Sequence, residues 1–99
     1  MINLPDMNRL KIFFFVYKLG SSVAASQQLN LTQPAVSQQL KKLEEELKTP
    51  LFIRMHKQLV PTAAAQHLYN LIAPLIERLI SEIEAIRLPH DRPAGKLRI

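Results

Sequence analysis

Gln33, Pro34, Ser37, Gln38 and Lys41 are the residues of this chain whose types and spacing could do chemistry. At 100° per residue Pro34, Ser37, Gln38 and Lys41 share one side of a helix, with Gln33 at the flank of its first turn. The set holds two amides, a hydroxyl and a small apolar edge, with a cation behind them and no carboxylate among them. Those groups match the edges of base pairs in a major groove. Glutamine pairs bidentately with adenine, serine serves several bases, and the proline ring can touch a thymine methyl.

The helix that carries them is legible from both ends. Thr32 is a good N-cap, and Pro34 is tolerated in a first turn whose N–H groups have no intrahelical partner. Val36, Leu40, Leu43 and Leu47 then form one narrow apolar stripe opposite the polar set, so the spacing predicts a helix over 33–47. Glu44, Glu45 and Glu46 close it. Phosphates would repel them, so only the N-terminal half can enter a groove. Their expected role is a solvated face rather than a metal site, with Lys41–Glu45 and Lys42–Glu46 as i,i+4 pairs worth a few tenths of a kcal/mol each.

Three further elements must hold that helix in place. Val23, Ala25, Ser26 and Leu29 are small or apolar, as a short helix crossing closely over another requires, and Asn30-Leu31 is a turn just long enough to reach Thr32. Before them, Asp6 can cap a helix over 7–19 that stops at Gly20. Met7, Leu10, Phe13, Phe14 and Tyr17 fall on one face, yet Ile12, Phe15 and Val16 lie elsewhere, so this helix should be covered from more than one direction. After the break at Lys48-Thr49-Pro50, residues 51–54 read as a short strand and 59–61 as its return, with Lys57 at the tip of the hairpin and Arg54 at its base.

Thr62 then caps a long helix running to about residue 88, with Pro74 inside it and Pro89 after it. Leu68, Ile72, Leu75, Leu79, Ile83 and Ile86 recur at spacings of three and four. Some 25 residues reach roughly 37 Å at about 1.5 Å per residue, longer than a small domain can cover. Those six are therefore the expected dimer interface.

The segment from Gly20 to Arg54, GSSVAASQQLNLTQPAVSQQLKKLEEELKTPLFIR, resembles the N-terminal DNA-binding domain of LysR-type transcriptional regulators. It follows that family's order of small residues, a Thr-Gln-Pro-Ala-x-Ser cluster, Leu-Glu-x-x-Leu and Pro-Leu-Phe-x-Arg without a gap. The resemblance implies a mainly α fold: a winged helix-turn-helix of three helices plus a two-stranded wing over 1–62, then a dimerising linker helix over 63–88. Gly95-Lys96-Leu97-Arg98-Ile99 is similar to the opening of the family's effector-binding domain, so 89–99 would be a hinge leading to it. A small-molecule effector would bind there, and no cofactor is expected in the part in hand. Three departures stand out. The hairpin tip has no glycine, Val23 stands where the family often has threonine, and Gln38 where it frequently has arginine.

The expected division of labour follows. Gln33, Pro34, Ser37 and Gln38 face bases, while Ser22, Thr32, Lys41, Lys42, Arg54 and Lys57 hold phosphates. The partners are double-stranded operator DNA and a second copy, or a tetramer in the full-length protein. A formal charge of +5 agrees with an anionic partner. The absence of cysteine excludes a disulfide framework and thiolate zinc sites. No run approaches ~20 apolar residues and the N-terminus has no basic start, which points to a cytoplasmic protein without a membrane partner. Catalysis has no footing, since His56, His67 and His90 fall on a hairpin, a helix and a linker with no common site. The alternative is a structural dimerisation or protein-interaction module, for which the long helix alone would suffice.

Overall fold

A computed structural model of the chain describes residues 4–88. Its elements run α1 (Met7–Leu19), α2 (Ser22–Leu29), α3 (Gln33–Leu47), β1 (Phe52–Met55), β2 (Gln58–Pro61) and α4 (Ala63–Arg87). This is a winged helix-turn-helix followed by a long helix, the fold expected. The expected hinge at 89–99 lies outside the described residues.

Local chemistry sets every boundary. The Asp6 carboxylate accepts the Asn8 N–H at 2.8 Å, and Ser21, Thr32 and Thr62 accept the N–H three residues on at 3.1, 3.2 and 3.1 Å. Each cap removes one of the unpaired donors of a first turn. At the other ends Gly20, Asn30 and Lys48 turn the chain left-handed, at φ 72°, 58° and 56°. The Leu31 N–H then reaches back to the Ser26 carbonyl at 2.8 Å, closing the tight corner between α2 and α3.

α1 is the centre of the molecule. Leu10, Ile12, Phe13 and Val16 pack with Ala25 of α2, Val36, Leu40 and Leu43 of α3, Leu51 and Ala65. Phe14 instead meets Ala73 and Ile76 of α4 in a second cluster. The helix-turn-helix covers one side of α1 and α4 another, which accounts for its apolar residues all round. Aromatic rings weld the α1–α4 side. Tyr17 and Tyr69 stack with centroids 4.1 Å apart, and Phe14 lies 5.5 Å from Tyr69 on a nearly parallel plane. Burial, then the nearby Glu77 carboxylate and Tyr17, push the Tyr69 phenol above its ordinary pKa, so it stays neutral. The first turns of α4 thus share a core with the elements before them.

The hairpin differs in detail from the expected strands. Leu51 is a buried anchor just before β1, and the pairing runs Phe52↔Pro61, Ile53↔Val60, Arg54↔Leu59 and Met55↔Gln58. That register leaves only His56 and Lys57 in the turn, at φ 51° and 65°. Two central residues at positive φ match the right-handed twist of a hairpin, a conformation in which glycine is normally favoured. Here a histidine and a lysine adopt it without one.

Candidate nucleic-acid interface

The four residues expected to face bases stand together on the open side of α3. Gln33, Pro34, Ser37 and Gln38 are all exposed, while Val36, Leu40 and Leu43 are buried behind them. α3 is held in that attitude from α1 by Arg9. Its Nε donates to the Gln39 amide oxygen at 2.9 Å, and its Nη1 pairs with Glu46 at 2.9 Å. Gln39 is thereby occupied on the core side, which leaves Gln38 as the outward glutamine of that pair. By sequence alone Arg9 is simply one cation among the residues of α1. Its role depends on a residue 30 positions away, and no local pattern signals it.

The wing stands beside the start of α3. Ser21, Ser22, Gln33, Arg54, Lys57 and Gln58 line a groove of about 490 Å³ between the N-terminal end of α2 and the hairpin. Two cations facing a helix N-terminus suit an anion, because the helix dipole and unpaired N–H groups attract negative charge as well. Thr32, Lys41 and Lys42 are exposed on or near α3. Lys41, Lys42, Arg54 and Lys57 form no ion pair among the described residues. Their charges are available to a ligand.

Ser22 sits differently from the other residues expected at phosphates. It is only 7% exposed, and its hydroxyl accepts the Gln33 amide N–H at 3.4 Å. It touches the groove from beneath and steadies Gln33. The acidic run needs correction. The pairs Lys41–Glu45 and Lys42–Glu46 do not form: Glu46 is drawn to Arg9, and one Glu44 oxygen accepts the backbone N–H groups of Leu51 and Phe52 at 2.7 and 3.2 Å. For Glu46 a surface i,i+4 pair gains too little to compete with such a partner, whereas Lys41 and Glu45 both simply stay exposed.

The long helix has an apolar band wider than α1 can cover. Of the six residues expected at a dimer interface, Leu68 and Ile72 pack against the chain's own core and Ile83 is half-buried. Leu75, Leu79 and Ile86 are 70%, 51% and 72% exposed, and Leu71 joins them. At 100° per residue these four lie within roughly 80° of one another, beside the covered face. A largely apolar groove of about 470 Å³ runs between α4 and the start of α1, lined by Met7, Lys11, Ile76, Leu79, Ile80 and Ile83, and of the exposed stripe only Leu79 reaches it. Among the described residues there is no group of three metal-ligating side chains, and no helix is long and apolar enough to cross a membrane.

Known proteins share this arrangement. A putative transcriptional regulator of Pseudomonas aeruginosa is 33% identical over 94 residues, which are 95% of this chain and 31% of that protein. The chain spans about a third or less of the length of the curated relatives it matches. A probable transcriptional regulator of the same organism, PA0477, superimposes with a TM-score of 0.79 at 28% identity, covering 88% of this chain and 30% of that one. The CbnR_DBD–DNA complex matches with a TM-score of 0.70 at 26% identity, covering 84% of this chain and 95% of that one. Residues 7–66, from the start of α1 through the α2–α3 corner and the wing into α4, match the family described as bacterial regulatory helix-turn-helix protein, lysR family, and this chain belongs to it.

Proposed function

We propose that this chain reads operator DNA as a homodimer and so regulates transcription in the bacterial cytoplasm. The first two turns of α3 enter a major groove, with Gln33, Pro34, Ser37 and Gln38 on base edges. Arg54 and Lys57 of the wing, with Thr32, Lys41 and Lys42, hold phosphates and fix the register. Ser22 supports Gln33 from below. The observation that carries this reading is the exposed outer face of the first two turns of α3, free of carboxylates, beside a groove bearing two unpaired cations. A scaffold that only bound protein would have no need to keep that face free of carboxylates.

The exposed stripe of Leu71, Leu75, Leu79 and Ile86 supports pairing of α4 with a second copy, with Ile83 at its edge. Leu68 and Ile72, which serve the chain's own core, would contribute at the margin. A tetramer, and a small-molecule effector acting through a C-terminal domain, belong to the longer polypeptide that the family members have. Selection of bound duplexes from a random DNA pool tests the reading. A recovered motif with two A/T-leaning half-sites is expected, because glutamine matches adenine and proline the thymine methyl. Recovery of no motif above background, at low and at moderate salt, would leave electrostatic binding alone and remove the base-reading role.

A further inference from the structure

Three consecutive carboxylates on a helix that faces DNA are an electrostatic burden, and the fold gives two of the three a partner. Glu46 is neutralised by Arg9 at 2.9 Å, Glu45 is exposed, and Glu44 turns toward the wing. Glu44 lies seven residues after Ser37, about two turns along and roughly 20° around, so it shares the side of α3 that faces DNA. There it is half-buried, and one oxygen takes the N–H of Leu51 at 2.7 Å and that of Phe52 at 3.2 Å. The strand that begins at Phe52 carries Arg54 two residues on, on the same face of the sheet. The exit of the wing is tied down as well, because Thr62 donates its N–H to the Leu51 carbonyl at 2.9 Å and its hydroxyl to that of Pro50 at 2.8 Å.

We propose that Glu44 is a positioning residue for DNA binding: its carboxylate clamps the start of the wing to α3 and so sets the reach of Arg54 and Lys57 relative to Gln33. The inference rests on the reading in which the wing holds phosphates. A charge-assisted acceptor for two amides is stronger than a neutral one and resists rotation of the hairpin about its stem. The negative charge is tolerated on the DNA side because those N–H dipoles absorb it. Without the clamp the wing keeps its cations but loses the register at which they meet the backbone.

The experiment compares binding of the full chain to a duplex recovered by selection and to a random duplex, across salt concentration. Glu44→Ala is expected to weaken both about tenfold although it removes a negative charge, and to lower the salt slope by about one for each wing cation that disengages. Glu44→Gln keeps an oxygen of the same shape and recovers most of the loss. Lys57→Ala, costly in the parent, adds little on top of Glu44→Ala. Tighter binding in both Glu44 variants would overturn the clamp and leave Glu44 a plain repulsive charge. So would full additivity with a real Lys57→Ala loss, and that result would spare the phosphate reading of the wing. If Lys57→Ala alone changes nothing on either duplex, the phosphate reading falls and takes the clamp with it. Should Glu44→Ala not fold, the cycle is read with Glu44→Gln, where Lys57→Ala must cost less than in the parent; equal costs overturn the proposal.

Discussion

α3 and α4 begin alike and end in opposite surfaces. Each is capped by a threonine whose hydroxyl accepts an N–H three residues on, and each buries one apolar face against α1 and its neighbours. The face left over on α3 is polar: Gln33, Pro34, Ser37, Gln38 and Lys41 in water. On α4 it is apolar: Leu71, Leu75, Leu79 and Ile86. An exposed polar face costs nothing in water and keeps its hydrogen-bonding groups ready, whereas an apolar stripe gains about 25 cal/mol for every Å² it can cover. On the proposed reading the first meets a hydrated, charged polymer and the second another apolar surface. The difference between two uncovered faces is therefore a difference between two kinds of partner.

The largest effect should come from spoiling the apolar face. Leu79→Glu sets a charge in the proposed helix pair without touching the core of the chain, so the product should be a folded monomer. Operator binding should drop by two or more orders of magnitude, since the gain from joining two half-site readers is roughly 10²- to 10⁴-fold. Sedimentation that still finds a dimer would move the interface off this stripe.

On the polar face the losses should be smaller and selective. Gln33→Ala should cost about 1 to 3 kcal/mol on the selected site and little on random DNA. Equal losses on both would take Gln33 out of the base-reading set. Gln38→Arg exchanges a donor–acceptor pair suited to adenine for a forked cation suited to guanine. Preference should shift toward guanine at one base pair in each half-site, with somewhat tighter binding to all DNA. A selection with the variant that returns the parental motif at every position would deny Gln38 a base contact.

The smallest effect separates strain from charge in the wing. Lys57 sits at φ 65°, where a residue with a β-carbon is strained by roughly 1 kcal/mol and glycine is not. Lys57→Gly should raise the melting temperature by a few degrees while lowering the salt slope of DNA binding by about one. A fall in melting temperature would mean that Lys57 has stabilising contacts that outweigh its backbone conformation.

Most of the fold was legible because it is written in short-range chemistry. Asp6, Thr32 and Thr62 cap helices whose apolar stripes recur at three and four residues, and such signals are complete within one or two turns. The outward set on α3 was legible for the same reason, since the face opposite a narrow stripe has nowhere to go but solvent. α1 showed that it must be covered on several sides, but periodicity does not say by what.

Tertiary structure alone decided the rest. It chose which half of the wide band on α4 meets α1, and so reserved Leu68 and Ile72 for the chain's own core while leaving Leu75, Leu79 and Ile86 exposed. It drew Glu46 to Arg9 in place of Lys42 and Glu44 to the wing, and it sank Ser22 beneath Gln33. For the two glutamates the reason is the same. A long polar side chain has local partners worth only tenths of a kcal/mol, so its destination is set by whichever stronger, partly buried partner the packing brings within reach, and that partner lies many residues away in the chain.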